Sequence, residues 1–170
     1  MSDFKEFLSR IRGKSLLLDT NLLLLLVAGH ADRRLVKTWP RVRNLGHDSY
    51  DVLNKAVDNF VQFFDARIVT TPNILTEVSN LGNDLKYDHR NRFFDAFAEL
   101  IAVLFEESYV TSSSISGSQG FAIFGLTDMA ILDRGLGEPC LVLTEDGTLA
   151  DFLARKGVDT MTLDEIRARS

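Results

Sequence analysis

The chain has 170 residues, 45% hydrophobic and 25% charged, and its 19 basic and 24 acidic side chains give a net charge of −5. This composition is that of one folded domain with a sizeable core, and it excludes disorder; an acidic chain is also a poor unassisted binder of polyanions. The longest apolar run, residues 22–28, is far short of the ~20 residues that cross a bilayer. No signal-peptide pattern opens the chain, so the expectation is a cytoplasmic protein with no membrane partner. The lone cysteine, Cys140, excludes an internal disulfide and a multi-cysteine zinc site, and in Cys140-Leu141-Val142-Leu143 it reads as a small core hydrophobe.

In chain order, Phe4, Phe7, Leu8 and Ile11 predict an amphipathic helix over 3–12 that ends at Gly13. Leu16-Leu17-Leu18 predicts a strand buried on both faces, and 22–28 a helix that is apolar all round, broken at Gly29-His30. Asp19, Thr20 and Asn21 lie at the junction between them. A carboxylate in so apolar a segment costs several kcal/mol if it is buried unpaired, so it needs an ion, a partner or an opening to water. Residues 31–47 carry Arg33, Arg34, Lys37, Arg41 and Arg43 against the single acid Asp32, and they enclose the only tryptophan, Trp39. The stretch reads as a basic loop, either a grip for a phosphate backbone or a solvated connection over a packed Trp39.

A helix is predicted from Asp48-Ser49 onward, with Val52, Leu53, Ala56, Val57, Phe60, Val61 and Phe64 as its apolar stripe. A strand follows at 67–71, then a helix with Pro72 at its first position and Ile74, Leu75, Val78 and Leu81 buried. Residues 88–107 read as one longer helix, and 111–120, rich in serine and glycine, as a loop. Leu126-Thr127-Asp128 opens another helix with Thr127 as cap. Residues 140–143 are a strand, 144–147 a turn, 149–156 a helix, 158–162 a strand and 163–169 a closing helix. Strands alternating with helices predict a parallel sheet covered on both sides, in a single domain.

Four acids stand apart. Asp19 and Asp146 follow short apolar strands, and in a parallel sheet with right-handed crossovers such positions gather at one edge. Asp128 at a helix start and Glu77 beside a buried stripe have ordinary explanations singly. Together the four are hard oxygen ligands suited to Mg²⁺ or Mn²⁺, which hold a phosphodiester and activate a water. Removing these four charges from −5 leaves −1, so most of the excess acid is in the candidate site. His30, His47 and His89 have no partner at the spacing of a zinc helix, and no glycine-rich phosphate loop is present.

Leu17-Leu18-Asp19-Thr20-Asn21, Ile74-Leu75-Thr76-Glu77-Val78, Gly125-Leu126-Thr127-Asp128-Met129-Ala130-Ile131-Leu132 and Leu143-Thr144-Glu145-Asp146 together resemble, in order, the motifs of PIN-domain ribonucleases, over residues 15–155. The resemblance implies a three-layer α/β/α sandwich around a mostly parallel sheet. It also implies metal-dependent hydrolysis of single-stranded RNA by Asp19, Glu77, Asp128 and Asp146, with Asn21 and Thr144 as supporting polar residues. Many bacterial members are toxins, so the implied partners are an RNA substrate, a cognate antitoxin protein and a second copy of the chain in a homodimer. The chain departs from the short toxin pattern by an insert around 31–59 and by the serine-rich loop. Substrate grip is assigned to Arg33, Arg34 and Arg134. Two rivals are a haloacid-dehalogenase-type phosphatase, which needs a nucleophilic aspartate where Thr144 stands, and a non-catalytic module of the same fold that binds RNA or protein.

Overall fold

The computed structural model describes residues 11–46 and 48–168. The helix predicted over 3–12 therefore lies outside the described residues except for its end, where Ile11 is buried and Gly13 takes the left-handed φ of +77° that closes it. His47 also lies outside them.

Five short strands form one all-parallel sheet: β1 (Ser15–Leu18), β2 (Ile68–Thr70), β3 (Phe105–Glu107), β4 (Cys140–Leu143) and β5 (Asp159–Met161), in the order β3-β2-β1-β4-β5. β1 is central, pairing Leu16 with Ile68 on one side and with Leu141 on the other, and every residue of β1, β2 and β4 is buried. That is why these strands read as continuous apolar runs and not as alternation. With ten helices among the described residues, the architecture is α/β and compatible with a three-layer α/β/α sandwich.

The first helix, α1 (Thr20–Ala31), is buried at Thr20 and at every position from 22 to 29. It is apolar all round because it is surrounded: α2 (Arg33–Thr38), α3 (Pro40–Arg43), α4 (Ser49–Phe64), α5 (Pro72–Gly82) and α6 (Tyr87–Val103) all pack on it. α7 (Ser112–Ile115) leads into α8 (Phe121–Gly137), which packs on β4 and on α9 (Gly147–Arg155). α10 (Leu163–Arg167) closes the chain against α4, opened by a capping box between Thr162 and Glu165. The sheet order reverses direction between β1 and β4. Right-handed crossovers then put α1–α6 on one face and α8 and α9 on the other.

Four expectations are corrected. The stretch expected as a basic loop holds two short helices, Arg33–Thr38 and Pro40–Arg43; Asp32 caps the first through the Arg34 amide at 2.9 Å, and Trp39 is buried edge-on to Phe93 at 5.6 Å. The helix predicted over 88–107 stops at Val103, and Phe105–Glu107 becomes the edge strand β3, exposed and acidic, with no apolar signal to mark it. The serine-rich stretch begins with a helical turn at Ser112–Ile115. Gly29 does not break α1; it lies inside the helix because a β-carbon there would come within 2.1 Å of the Tyr50 ring of α4.

That contact generates a test. Tyr50 is itself buried, with the Arg33 guanidinium 5.2 Å above its ring, so the ring cannot swing clear. Gly29→Ala gains about 1 kcal/mol of helix propensity, but the overlap costs more. The expected outcome is a net loss of about 1–2 kcal/mol in urea unfolding and a melting point lower by ~2–8 °C.

Candidate metal centre

β1 delivers Asp19 to the carboxyl edge of the sheet at the point where the strand order reverses, which is where open α/β sheets form clefts. Its amide N–H donates to the Leu143 carbonyl at 3.0 Å, extending the β1–β4 ladder by one residue. The side chain then caps α1: Oδ1 accepts the Leu22 amide at 2.8 Å. Oδ2 accepts the Thr144 hydroxyl, and the Glu145 amide also donates to the carboxylate. Asp19 is 4% exposed. Burial raises its carboxyl from 3.8 to about 6 against the pull of these donors, and the charge of Asp146 adds to the rise.

Thr144 ties two acids together, since its Oγ1 gives its proton to Asp19 and accepts the Asp146 amide at 3.0 Å. Asp146 opens α9, its Oδ1 accepting from Thr148 at 2.9 Å and Leu149 at 3.0 Å. Glu77, exposed on α5, accepts the Thr20 hydroxyl at 3.0 Å. α5 itself starts at the same sheet edge, capped by Thr71. Asp128 enters from α8, whose backbone breaks at Gly125 (φ +74°, ψ −171°), two residues before the Thr127 expected as cap. The break restarts the helix beside α5, which α8 touches. Asp128 rises from 3.8 to about 7, first through burial and then through the charges of Asp19, Glu77 and Asp146. Asp128 is therefore close enough to three carboxylates from three other segments to be raised by their charge.

Among the described residues, no group of three histidine, cysteine, aspartate or glutamate side chains is arranged to grip one ion. The acids are neighbours and not a closed cage: Glu77 and Asp146 are exposed, Asp128 is half-buried and Asp19 is buried. The donor set fits a hard dication by its chemistry: all oxygen, mutually repelling, with no arginine or lysine bonded to it among the described residues.

The other assigned residues fall elsewhere. Asn21 is exposed on the first turn of α1, and among the described residues it makes no hydrogen bond to the acids. Arg33 and Arg34 follow α1, whose 12 residues carry the chain about 18 Å back from the cleft. There Arg33 pairs with Asp51 at 2.8 Å and Arg34 with Asp32 at 2.7 Å. Arg134 is 6% exposed and donates to Glu138 at 2.9 Å and to Ser15, the first residue of β1, at 3.4 Å, so it serves the opposite edge of the sheet. The assignment of these three arginines to substrate grip is corrected accordingly. Sequence reasoning missed the Thr20 hydroxyl on Glu77 and the Glu145 amide on Asp19; a hydroxyl directly after a capping aspartate was the available signal for the first.

Comparison with family models, with curated proteins and with solved structures finds no match to this chain.

The raised carboxyls fix a pH dependence. An acid whose folded-state pKa lies above its unfolded value keeps the folded chain more protonated between the two, so stability is full below about 4 and falls as pH rises through about 7. In chelator-treated buffer, the unfolding free energy is expected to decline across that window. Asp128→Asn should remove part of the slope and gain about 1–2 kcal/mol at pH 7.5, a figure reduced for the partial exposure of the side chain. Urea unfolding from pH 4 to 8 for both proteins measures it; a flat profile in the parent chain contradicts the repulsion.

Proposed function

We propose that the chain is a Mg²⁺- or Mn²⁺-dependent endoribonuclease of the PIN-domain kind, hydrolysing phosphodiester bonds of single-stranded RNA. The observation that carries the reading is the gathering of Asp19, Glu77 and Asp146 around the half-buried Asp128 at the reversal point of a parallel sheet, with no cation of the chain bonded to them among the described residues. A cluster of that kind gains most from an exogenous dication, and the order of the four motifs along the chain supports the family resemblance.

In this reading Asp19, Asp128, Asp146 and Glu77 hold the ion. When bound, such an ion supplies charge to fix a phosphodiester and lowers the pKa of an attacking water. Asp19 does not move: the Leu22 amide, the Thr144 hydroxyl and the Glu145 amide orient it. Thr144 passes that orientation to Asp146, and Thr20 donates to Glu77, so these three acids are each held by a hydroxyl or an amide that leaves lone pairs for a ligand. Asp19 and Asp128 are the donors whose ionisation is coupled to filling the site. A growth arrest on expression, relieved by Asp19→Ala, would add the toxin role and its cognate antitoxin to this activity.

Asp19→Asn is the decisive variant, because asparagine caps a helix nearly as well as aspartate and keeps the Leu22 bond. With Mn²⁺ and an unstructured RNA, cleavage is expected to fall by at least ~100-fold while the melting point moves by ~3 °C or less. Mn²⁺ should stabilise the parent chain against heat and leave Asp19→Asn unmoved. An active Asp19→Asn protein, or one stabilised by Mn²⁺ as the parent is, overturns the assignment.

A further inference from the structure

The corrected positions of Arg33, Arg34 and Arg134 leave the cleft without its expected substrate contacts, while the carboxyl edge next to Glu77 carries a different set. The chain leaves β3 there, with the Ser108 amide donating to the Thr70 carbonyl at 2.8 Å. Val110 is buried and anchors the segment, whereas Tyr109 beside it is 78% exposed. Across from it α5 presents Asn73, Thr76, Glu77 and Asn80, spaced so that they share one face of the helix. The restart of α8 after Gly125 adds Leu126 and Thr127. These residues line a cavity of about 410 Å³ that opens onto the candidate acid Glu77.

Its chemistry narrows the occupant. The volume lies near the lower end of the ~300–1,000 Å³ of small-molecule sites, room for one nucleoside and not for a stack. The one charged side chain on the wall is Glu77, which repels a phosphate or an acidic peptide. The rest of the wall is neutral: two carboxamides, three hydroxyls, three aliphatic side chains and an uncovered phenol ring. Among the described residues, no side-chain hydrogen bond uses Asn73, Asn80, Thr76 or Thr127. Carboxamides match the paired donor and acceptor on a base edge, and an exposed aromatic ring is the platform on which unstacked bases of single-stranded RNA lie.

We propose that this cavity receives one unstacked base of the RNA next to the cleaved phosphate, stacked on Tyr109 and read at its edge by Asn73 and Asn80. The inference rests on the ribonuclease reading for its substrate, and it assigns base selection to α5 and the β3–α7 segment.

The test uses the full chain, labelled with ¹⁵N, and the four nucleoside monophosphates, with inorganic phosphate as control. Asn73→Ala and Asn80→Ala identify the two side-chain amide signals. At least one nucleotide is expected to move both signals while phosphate moves neither. Tyr109→Ala should weaken that nucleotide by about 10-fold and Tyr109→Phe should restore it. In RNA cleavage with Mn²⁺, Tyr109→Ala should raise KM by a similar factor with kcat within about twofold, and Asn80→Ala should flatten the preference among bases. Amides silent to every nucleotide, or equally responsive to phosphate, overturn the proposal, as does a Tyr109→Ala protein with the parent's affinity. If the parent cleaves RNA under those outcomes, the ribonuclease reading stands and only the cavity assignment falls. If the parent cleaves no RNA yet its Asn amides answer to a nucleotide, the nuclease reading falls and the cavity stands as a nucleotide site.

Discussion

A single buried carboxylate holds the architecture of the cleft in place. Asp19 ends the central strand, starts the central helix and, through Thr144 and Glu145, is bonded to the segment leaving the neighbouring strand. These bonds offset part of the cost of desolvating the charge, but not all of it, as the rise of the carboxyl to about 6 records. The surroundings leave no freedom to relieve that cost by movement. α1 is packed on all sides, and β1 is fixed between β2 and β4. A proton or a cation at the carboxylate relieves what remains of that cost.

The two edges of the sheet handle acid in opposite ways. At the far end of α1, Asp32 accepts from Arg34 and also pairs with Arg92 at 3.5 Å, which lowers its carboxyl to about 2. Arg41 pairs with Asp84 and Arg33 with Asp51, each at 2.8 Å. At the carboxyl edge Asp128 is moved the other way, to about 7. The residue type is the same; what differs is first burial, which raises Asp128, and then the supply of counter-charge, which Asp32 has from Arg34 and Arg92. Of the basic residues between 31 and 47, Arg33 and Arg41 hold the short helices α2 and α3 against α4 and the α5–α6 turn, and Arg34 pairs with Asp32. None of them is bonded to the acids of the carboxyl edge among the described residues.

What could be read from the sequence follows from the same physics. Leu16–Leu18 and Cys140–Leu143 were legible because a strand buried on both faces has to be apolar throughout, and the stripe of α4 because one helical face has to be. β3 was not, since an edge strand of Phe105-Glu106-Glu107 pairs through its backbone and needs no pattern in its side chains. Asp19 and Asp146 were legible as a pair because topology alone brings residues after parallel strands to one edge, whereas Glu77 and Asp128, inside helices, joined them only as further oxygen ligands and through the resemblance of their motifs. The arginines were misplaced for a geometric reason: nearness in sequence to Asp19 is not nearness in space once a 12-residue helix intervenes. Arg134 likewise shares a helix with Asp128, yet six residues, about 9 Å, separate them along the axis. Tyr109, Asn73 and Asn80 carried no signal at all, as their shared cavity depends on the break at Gly125.

The charge balance also orders events at the cleft. A chain of net −5 with four carboxylates at one edge presents a field that repels a polyanion, and no bonded arginine or lysine softens it there. RNA can approach that edge only after the field is reduced, and protonation of Asp19 and Asp128 does so only on the acid side of neutrality. A dication reduces it at neutral pH, so in the ribonuclease reading ion uptake precedes the phosphate contact and is a condition of substrate binding as well as of hydrolysis. In the same reading the proposed base cavity is the complementary part: apart from Glu77, its wall offers contacts that carry no charge. In that reading, recognition by neutral contacts beside an acidic centre separates what would select the RNA from what would cut it.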